Sequence, residues 1–221
     1  MYLLVAATEF EMEPARKSLA SSRNVSFLVS GVGQVESAFA LTRYLSLNQD
    51  ISVVVNLGVA GAYHDCGLDL LRICLAGKEI LADFGICYPD RIESFSSDNM
   101  TISREFDLKN KLFFESRKIL EYDHLPFDCG TFLTVSCVSG TASRGSYLKQ
   151  TFDAICENME GAALARVCQG FGVDLLELRC ISNMVEDRDP SRWRLREACE
   201  NVGDAAARVI HGLSDVEWSY R

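Results

Sequence analysis

The chain has 221 residues, of which 48% are apolar and 24% are charged, a normal balance for one globular domain with a sizeable core. Its formal net charge is −9, from 22 basic and 31 acidic residues, and it contains no basic block. We therefore expect no nucleic acid partner and no polybasic membrane anchor. No apolar run is long enough to cross a bilayer, so we also expect no membrane partner.

The nine cysteines indicate reduced thiols rather than a disulfide framework. Their number is odd, no CxxC pair occurs, and several lie inside apolar runs such as residues 71–75. The N-terminal apolar run, residues 2–7, is too short for a signal peptide and has no basic residue before it. Together these features predict a cytoplasmic protein.

Apolar periodicity predicts strands that alternate with helices along the whole chain. Predicted strands cover residues 2–7, 25–29, 51–56, 70–81, 131–138, 152–156 and 173–183. Predicted helices cover residues 15–19, 34–47 and 108–122, a run that starts near Glu157 and Glu160, and residues 192–213. The polar residues 89–104 are expected to form a surface loop near the site. This order predicts one α/β domain over residues 1–221, with three layers (α/β/α) around a mixed, mainly parallel sheet.

Glycine-rich segments follow two of the predicted strands. The second strand is followed by SGVG at residues 30–33, and the third by LGVAGA at residues 57–62. We expect both segments to be turns in which backbone amides approach a bound group closely. A dinucleotide-binding site is a poor match, because the GxGxxG pattern is incomplete in both places.

Polar side chains collect where strands end, and two of them, Glu11 and Glu160, suit the hydrolysis of a sugar-like bond. One carboxylate can deprotonate a water while the other binds hydroxyls and stabilises a cationic transition state. The competing interpretation is that Glu160 only helps a helix to start. The three histidines have no metal-ligand spacing, so we expect no metal and no cofactor. There is no GxSxG segment, which disfavours acyl transfer.

Five motifs in order resemble the nucleoside phosphorylase and nucleosidase superfamily. They are ATEFE at 7–11, SGVGQV at 30–35, NLGVAG at 56–61, NMEGAA at 158–163 and RCISN at 179–183. Within the superfamily they most resemble two groups of hydrolases, the methylthioadenosine/adenosylhomocysteine nucleosidases and the futalosine hydrolases. The resemblance covers nearly the whole chain and implies a nucleoside phosphorylase-like fold.

The resemblance also implies roles for individual residues. Glu11 would activate water, Glu160 would bind the ribose hydroxyls and the developing oxocarbenium, and Asn183 would bind the purine. The remaining residues of the implied substrate site are Val59, Ala60, Gly61, Val138, Asn158, Met159, Arg179 and Ser182. Glu13 is expected to be a helix-start charge, Glu157 to lie on the solvent side of the site or behind it, and Trp193 to be a packing residue.

Two departures from the family patterns indicate the acceptor and the base. The acidic segment at 7–11 replaces the basic, phosphate-binding loop of the phosphorylases, so water is the expected acceptor. Asn183 stands where adenine-specific nucleosidases carry aspartate, and its amide N–H groups suit a 6-oxopurine. Futalosine, an inosine-like nucleoside of menaquinone biosynthesis, is therefore the expected substrate, and a homodimer is expected from the resemblance.

Two alternatives stay open at this stage. The chain could be a methylthioadenosine/adenosylhomocysteine or 6-amino-6-deoxyfutalosine nucleosidase, since one residue does not decide the base. It could also be a non-catalytic nucleoside-binding protein of the same fold, although binding alone does not require a water-activating acid such as Glu11.

Overall fold

The computed structural model describes residues 1–88, 91–93, 95 and 104–219. Its strands are β1 (Tyr2–Ala6), β2 (Val25–Val29), β3 (Val53–Ala62), β4 (Ile73–Leu81), β5 (Ile86–Cys87), β6 (Ile92–Glu93), β7 (Glu105–Asp107), β8 (Phe127–Thr134), β9 (Ala154–Asn158) and β10 (Asp174–Met184). Its helices are α1 (Glu9–Ser18), α2 (Gln34–Leu47), α3 (Lys111–Tyr122), α4 (Ala142–Phe152), α5 (Gly161–Phe171) and α6 (Leu195–Ser219), with a 3₁₀ turn at Pro190–Arg192. Most of the predicted loop 89–104 lies outside the described residues.

Eight strands form one mixed sheet in which parallel pairs predominate. The order is β10-β4-β8-β9-β3-β1-β2, with β7 beside β4. The pairs β1–β2, β1–β3, β3–β10, β4–β8 and β8–β9 are parallel, whereas β3–β9, β4–β10 and β4–β7 are antiparallel. Because β10 also pairs with β3, the strands β3, β10, β4, β8 and β9 close into a ring.

Alternating side chains of the sheet pack against two helix layers. On β1, Leu4 belongs to the buried cluster that includes residues of α1, α3 and α6, whereas Leu3 and Val5 belong to the cluster that includes α2 and α5. Successive residues of a strand point to opposite faces, so helices cover both sides of the sheet. The predicted three-layer α/β/α architecture with a mainly parallel sheet is confirmed. None of the helices in the described part of the chain has the length and apolar character needed to cross a membrane.

The helix α4 was not predicted from the sequence. No helix was predicted between the strands at 131–138 and 152–156, and Phe152 was expected to begin the second of these strands, but Ala142–Phe152 form α4. The Thr141 hydroxyl caps this helix by accepting from the Arg144 amide, 3.3 Å away. Only Gly145 and Leu148 are buried, so α4 carries a weak apolar signal.

The predicted turn at residues 57–62 is also wrong, because β3 continues through Ala62. Gly58 lies inside this strand, and a Cβ there would stand 2.6 Å from Arg179 Nη1 and 2.7 Å from Glu11 Oε1. The glycine therefore makes room for two buried charged groups rather than bending the chain. The turn after β2 does form, with Gly31 and Gly33 at φ of 85° and 91°.

Candidate active site

All of the predicted site residues line one cavity of about 300 Å³ beside the carboxyl ends of β1, β3 and β10. They are Glu11, Val59, Ala60, Gly61, Val138, Asn158, Met159, Glu160, Arg179, Ser182 and Asn183. Ala7, Val32, Glu157, Arg188, Trp193 and Leu195 complete the lining. Two larger surface grooves, of about 470 and 410 Å³, contain none of the predicted residues. We place the site in the smaller cavity because it holds several buried charged side chains, which need a functional or structural reason.

Glu11 is both a helix cap and a wall of the cavity. Its Oε2 accepts from the Thr8 amide at 3.1 Å and the Thr8 hydroxyl at 2.8 Å, while the Thr8 hydroxyl accepts from the Glu11 amide in return. Oε1 accepts from the Val59 amide at 3.2 Å. This reciprocal capping box fixes the rotamer of a buried carboxylate that lines the cavity. A carboxylate held in this way is placed to accept a proton from a molecule in the cavity.

Glu160 stands at the N-terminus of α5, but its side chain does not cap the helix. Its Oε1 accepts from the Gly33 amide at 2.9 Å, and Oε2 lies 3.4 Å from Arg179 Nη2. The cap comes instead from Asn158, whose Oδ1 accepts from the amides of Glu160 and Gly161 at 2.9 and 2.8 Å. The interpretation of Glu160 as only a helix-start acid is therefore wrong.

Arg179 is the buried cation behind these carboxylates, with a side chain 2% exposed. Its Nη2 lies 2.9 Å from Glu177 Oε1 and 3.3 Å from Asn158 Oδ1, and its Nη1 donates to the Val59 carbonyl at 3.4 Å. Burial lowers the pKa of Arg179, but the carboxylates of Glu177, Glu160 and Glu11 outweigh burial and raise it. The guanidinium stays charged and orients the groups around it.

Two buried glutamates that were absent from the predicted site contact its residues: Glu79 contacts Asn158, and Glu177 contacts Arg179. Glu79 accepts from Asn158 Nδ2 at 2.6 Å and from the Thr134 hydroxyl at 2.8 Å, and Glu177 accepts from Asn56 Nδ2 at 2.9 Å. Burial and the facing Glu177 raise the pKa of Glu79 well above its usual range. The raised pKa favours the protonated form of Glu79, which can donate its acid proton to Glu177 Oε2. Among the described residues, no other donor reaches this buried oxygen.

The base-binding prediction concerns Asn183, which lies next to Gly61 where β3 and β10 end. Its Oδ1 accepts from the Ser182 hydroxyl at 2.9 Å, and one N–H of Nδ2 is directed to the Met184 carbonyl at 3.2 Å. One further amide N–H is free to donate to a ligand. A smaller pocket of about 70 Å³ adjoins the cavity here, and we call it the inner recess. It is lined by Gly61, Val138, Ser139, Glu157, Asn183, Met184, Glu186, Arg188, Asp189 and Trp193.

Glu157 does not lie on the solvent side. It belongs to β9 rather than to a helix start, and it is buried. Its Oε1 accepts from the Ser139 amide at 2.7 Å, and its Oε2 accepts from the hydroxyls of Ser139 and Tyr63 at 2.7 and 3.0 Å. Because its neighbours come from the segments that follow β3 and β8, nearby sequence could not have shown this environment.

Trp193 also differs from its expected packing role, because it lines the cavity. The guanidinium carbon of Arg188 lies 4.6 Å from the centre of the Trp193 ring. The Arg188 amide donates to the Gly140 carbonyl at 3.3 Å, which ties the connector after β10 to the segment before α4. Over residues 1–88, 91–93, 95 and 104–219, no cluster of three or more histidine, cysteine or acidic side chains is arranged to hold a metal ion.

Comparison with known proteins identifies the family of this chain. Residues 11–214 match the family model described as Phosphorylase superfamily. The chain belongs to the phosphorylase superfamily. Within this superfamily it is 32% identical over 187 residues to a futalosine hydrolase of Thermus thermophilus, covering 83% of this chain and 80% of the relative.

Two further matches are one relative by sequence and one solved structure with a similar fold. This chain is 28% identical to a 5'-methylthioadenosine/S-adenosylhomocysteine nucleosidase of Bacillus pumilus. The alignment covers 85% of this chain and 81% of that relative. A solved futalosine hydrolase mutant of Helicobacter pylori has a TM-score of 0.84 at 19% identity, over 95% of this chain and 98% of that chain, and supports the fold alone. The predicted enzyme class, a nucleosidase of this superfamily, is confirmed by the names of the relatives.

Proposed function

We propose that this superfamily member hydrolyses the N-glycosidic bond of futalosine to hypoxanthine and dehypoxanthine futalosine, a step of menaquinone biosynthesis. One observation carries the proposal: the carboxylates of Glu11 and Glu160 and the amide of Asn183 line the same cavity. The similarity to a futalosine hydrolase over most of both chains supports the choice of substrate.

In the proposed reaction, Glu11 accepts a proton from water as the water oxygen bonds to C1′ of the ribose. The bond between C1′ and N9 breaks, and hypoxanthine leaves with both electrons of that bond and then takes up a proton. Glu160 accepts hydrogen bonds from the ribose hydroxyls and stabilises the positive charge that develops on the ring. The side chain of Met159 and the backbone of Val59, Ala60 and Gly61 line the space around the ribose and the water.

Water is the proposed acceptor because the charges in the cavity are mainly negative. Among the described lining residues the cations are Arg179 and Arg188. Arg179 is occupied by protein acceptors, and Arg188 lies over Trp193. A phosphate would therefore meet the carboxylates of Glu11 and Glu160, and the guanidinium beside them, that of Arg179, is already paired.

The proposed base is hypoxanthine. The Ser182 hydroxyl holds Oδ1 of Asn183, which leaves an amide N–H for O6 or N7 of the base. The sequence had suggested two free N–H donors, but one of them is directed to the Met184 carbonyl. A 6-amino group would place a donor against the remaining N–H, a mismatch worth about 1–3 kcal/mol for a buried polar contact.

The active form is proposed to be a cytoplasmic homodimer. The nine cysteines carry free thiols, which suits a reducing compartment. Val35 and Phe39 on α2 are 80% and 67% exposed, and Val32 beside them also lines the cavity, so a second copy docked there would cover apolar surface next to the site. Light scattering at micromolar concentration tests this; a monomer would contradict it.

The experiment that tests the function is a base-release assay. Purified protein is incubated with futalosine, 6-amino-6-deoxyfutalosine and methylthioadenosine, with and without phosphate, and released bases are separated by chromatography. We expect hypoxanthine release from futalosine, independent of phosphate, with kcat/KM about 10- to 100-fold above either adenine nucleoside. Preferential adenine release would make the chain an adenine nucleosidase, phosphate dependence would make it a phosphorylase, and binding without release would make it a binding protein.

A further inference from the structure

Glu157 is a buried carboxylate of the candidate active site that the proposed reaction does not use. The residue is 5% exposed and lines both the main cavity and the inner recess. A buried carboxylate is costly unless hydrogen bonds or opposite charge compensate it. Its position in the recess, next to where the base is proposed to bind, gives a reason to ask which ligand group it faces.

The hydrogen-bond partners of Glu157 leave one acceptor position of its carboxylate available to a ligand. It accepts from the Ser139 amide, the Ser139 hydroxyl and the Tyr63 hydroxyl, and no basic side chain of the described residues forms an ion pair with it. These three donors occupy three of the roughly four acceptor positions that a carboxylate offers. The three donors also fix its rotamer, so the remaining position is preorganised.

Glu157 and Asn183 stand on opposite sides of Gly61. In the sheet, Gly61 pairs with Glu157 of β9 on one side and with Asn183 of β10 on the other. Directly paired residues point to the same face, and two strand spacings separate their backbones by roughly 10 Å. A Cβ on Gly61 would lie 3.0 Å from Val185 Cγ2 and 3.1 Å from Asn183 Nδ2, so the glycine lets Glu157 and Asn183 flank the recess without a side chain of β3 between them. A planar base edge fits between one hydrogen-bond acceptor and one donor.

The two common purine bases differ at this edge. A 6-oxopurine carries a hydrogen on N1 and an acceptor at O6, whereas a 6-aminopurine has a bare N1 and a donor at N6. We propose that Glu157 is a specificity-determining residue that accepts the N1–H of a 6-oxopurine while Asn183 donates to its O6 or N7. A 6-aminopurine would turn the N1 lone pair toward the carboxylate and leave Glu157 without a donor. The inference rests on the proposed function, because it assigns the base subsite of the same reaction.

The test compares base selectivity, defined as kcat/KM for the hypoxanthine nucleoside divided by that for the adenine nucleoside. In Glu157→Gln we expect this ratio to fall about 10- to 100-fold, the range for losing a hydrogen bond to a charged group. The matched control is Tyr63→Phe, which removes one donor to Glu157 and keeps the carboxylate. We expect its ratio to stay within about threefold of the unmodified chain, a change too small for a lost charged contact. An equal fall in both variants would overturn the proposal, because Glu157 would then only hold the Ser139 segment.

Binding of free bases separates this inference from the proposed reaction. Calorimetry of hypoxanthine, 1-methylhypoxanthine and 7-deazahypoxanthine is carried out on the unmodified chain and on Glu157→Gln. Methylation at N1 should weaken binding to the unmodified chain about tenfold or more, and clearly less in the variant, since N1–H has then lost its partner. The 7-deaza penalty should be equal in both, because N7 lies away from Glu157. Equal methylation penalties would contradict the role of Glu157 even if futalosine is hydrolysed. If no nucleoside is hydrolysed, the reaction proposal fails, and the base-binding result still decides the role of Glu157.

Discussion

The two ends of the cavity are built differently. At the ribose end, Glu160 and Arg179 belong to a dense buried network that continues through Asn158 and Glu177 to Glu79. At the base end, Asn183 and Glu157 are held by a few separate hydrogen bonds on either side of Gly61. In a coupled network one substitution disturbs the hydrogen bonds of several other side chains. Where the hydrogen bonds are separate, a substitution affects only the side chain that it replaces and its direct partners. Chemistry is therefore expected to depend on the ribose end and base choice on the base end.

The largest expected effect is on turnover, from Glu11→Gln. Removing the proposed proton acceptor should lower kcat by about 10²- to 10⁴-fold for hypoxanthine and adenine nucleosides alike, so that base selectivity stays unchanged. Steady-state kinetics measure the rate, and calorimetry with an unreactive nucleoside should show binding within about threefold. The control is Glu13→Gln on the same helix, an exposed acid paired with Lys17 at 2.7 Å, which should keep normal turnover. Unchanged turnover in Glu11→Gln would remove Glu11 from the reaction.

For Asn183→Asp at the base end we expect a smaller effect, and on base selectivity rather than on turnover. A protonated aspartic acid can donate to N7 and accept from a 6-amino group, which the present amide orientation does not allow. Base selectivity should move toward adenine by about 10-fold or more in the paired nucleoside assay. Equal loss of both activities would show that Asn183 supports the reaction rather than the choice of base, and the contrast between the two ends would fail.

The smallest expected effect concerns stability, from Glu79→Gln beneath the ribose end. Burial and the neighbouring Glu177 raise the pKa of Glu79 in the folded chain above its ordinary value of 4.5, so the folded chain binds this proton more tightly than the unfolded chain. The stability contribution of this group is therefore complete below pH 4.5 and is lost as pH rises toward the raised folded pKa. Each pH unit in that range costs the folded state up to about 1.4 kcal/mol, or roughly 3 °C in Tm for a chain of this size.

Glutamine does not titrate, so the Tm of Glu79→Gln relative to the unmodified chain should rise between pH 4.5 and neutral pH. Scanning calorimetry at several pH values measures this difference. Glu200→Gln, an exposed acid of α6, is the control and should show no such trend. A pH-independent difference for Glu79→Gln would mean that Glu79 is not protonated in the folded chain.

Local signals in the sequence account for most of the fold that was predicted. The apolar run at residues 2–7 and the apolar periodicity at residues 34–47 predicted β1 and α2, and the order of strands and helices predicted the layers. The buried face of α2 was not predicted by its apolar residues, since Val35 and Phe39 are exposed. The strand β3 was cut short because its glycines are typical of turns. At residue 58 a glycine is needed because Arg179 and Glu11 approach this position from other parts of the chain. The helix α4 was missed because it buries little apolar surface.

The five motifs and the family resemblance that they carry indicated from the sequence alone which residues belong to the site. The fold brings them together because the carboxyl ends of β1, β3 and β10 lie at one edge of the sheet. The roles of the remaining acids were decided only by tertiary structure. Glu79 and Glu177 interrupt apolar strands, a local signal of a buried acid, but nothing local shows that they face each other. Glu157 has the same chemistry as Glu160 three residues later, yet one faces Ser139 and Tyr63 and the other Gly33 and Arg179. The role of a carboxylate depends on its partners, and these come from distant segments that only the folded chain brings together.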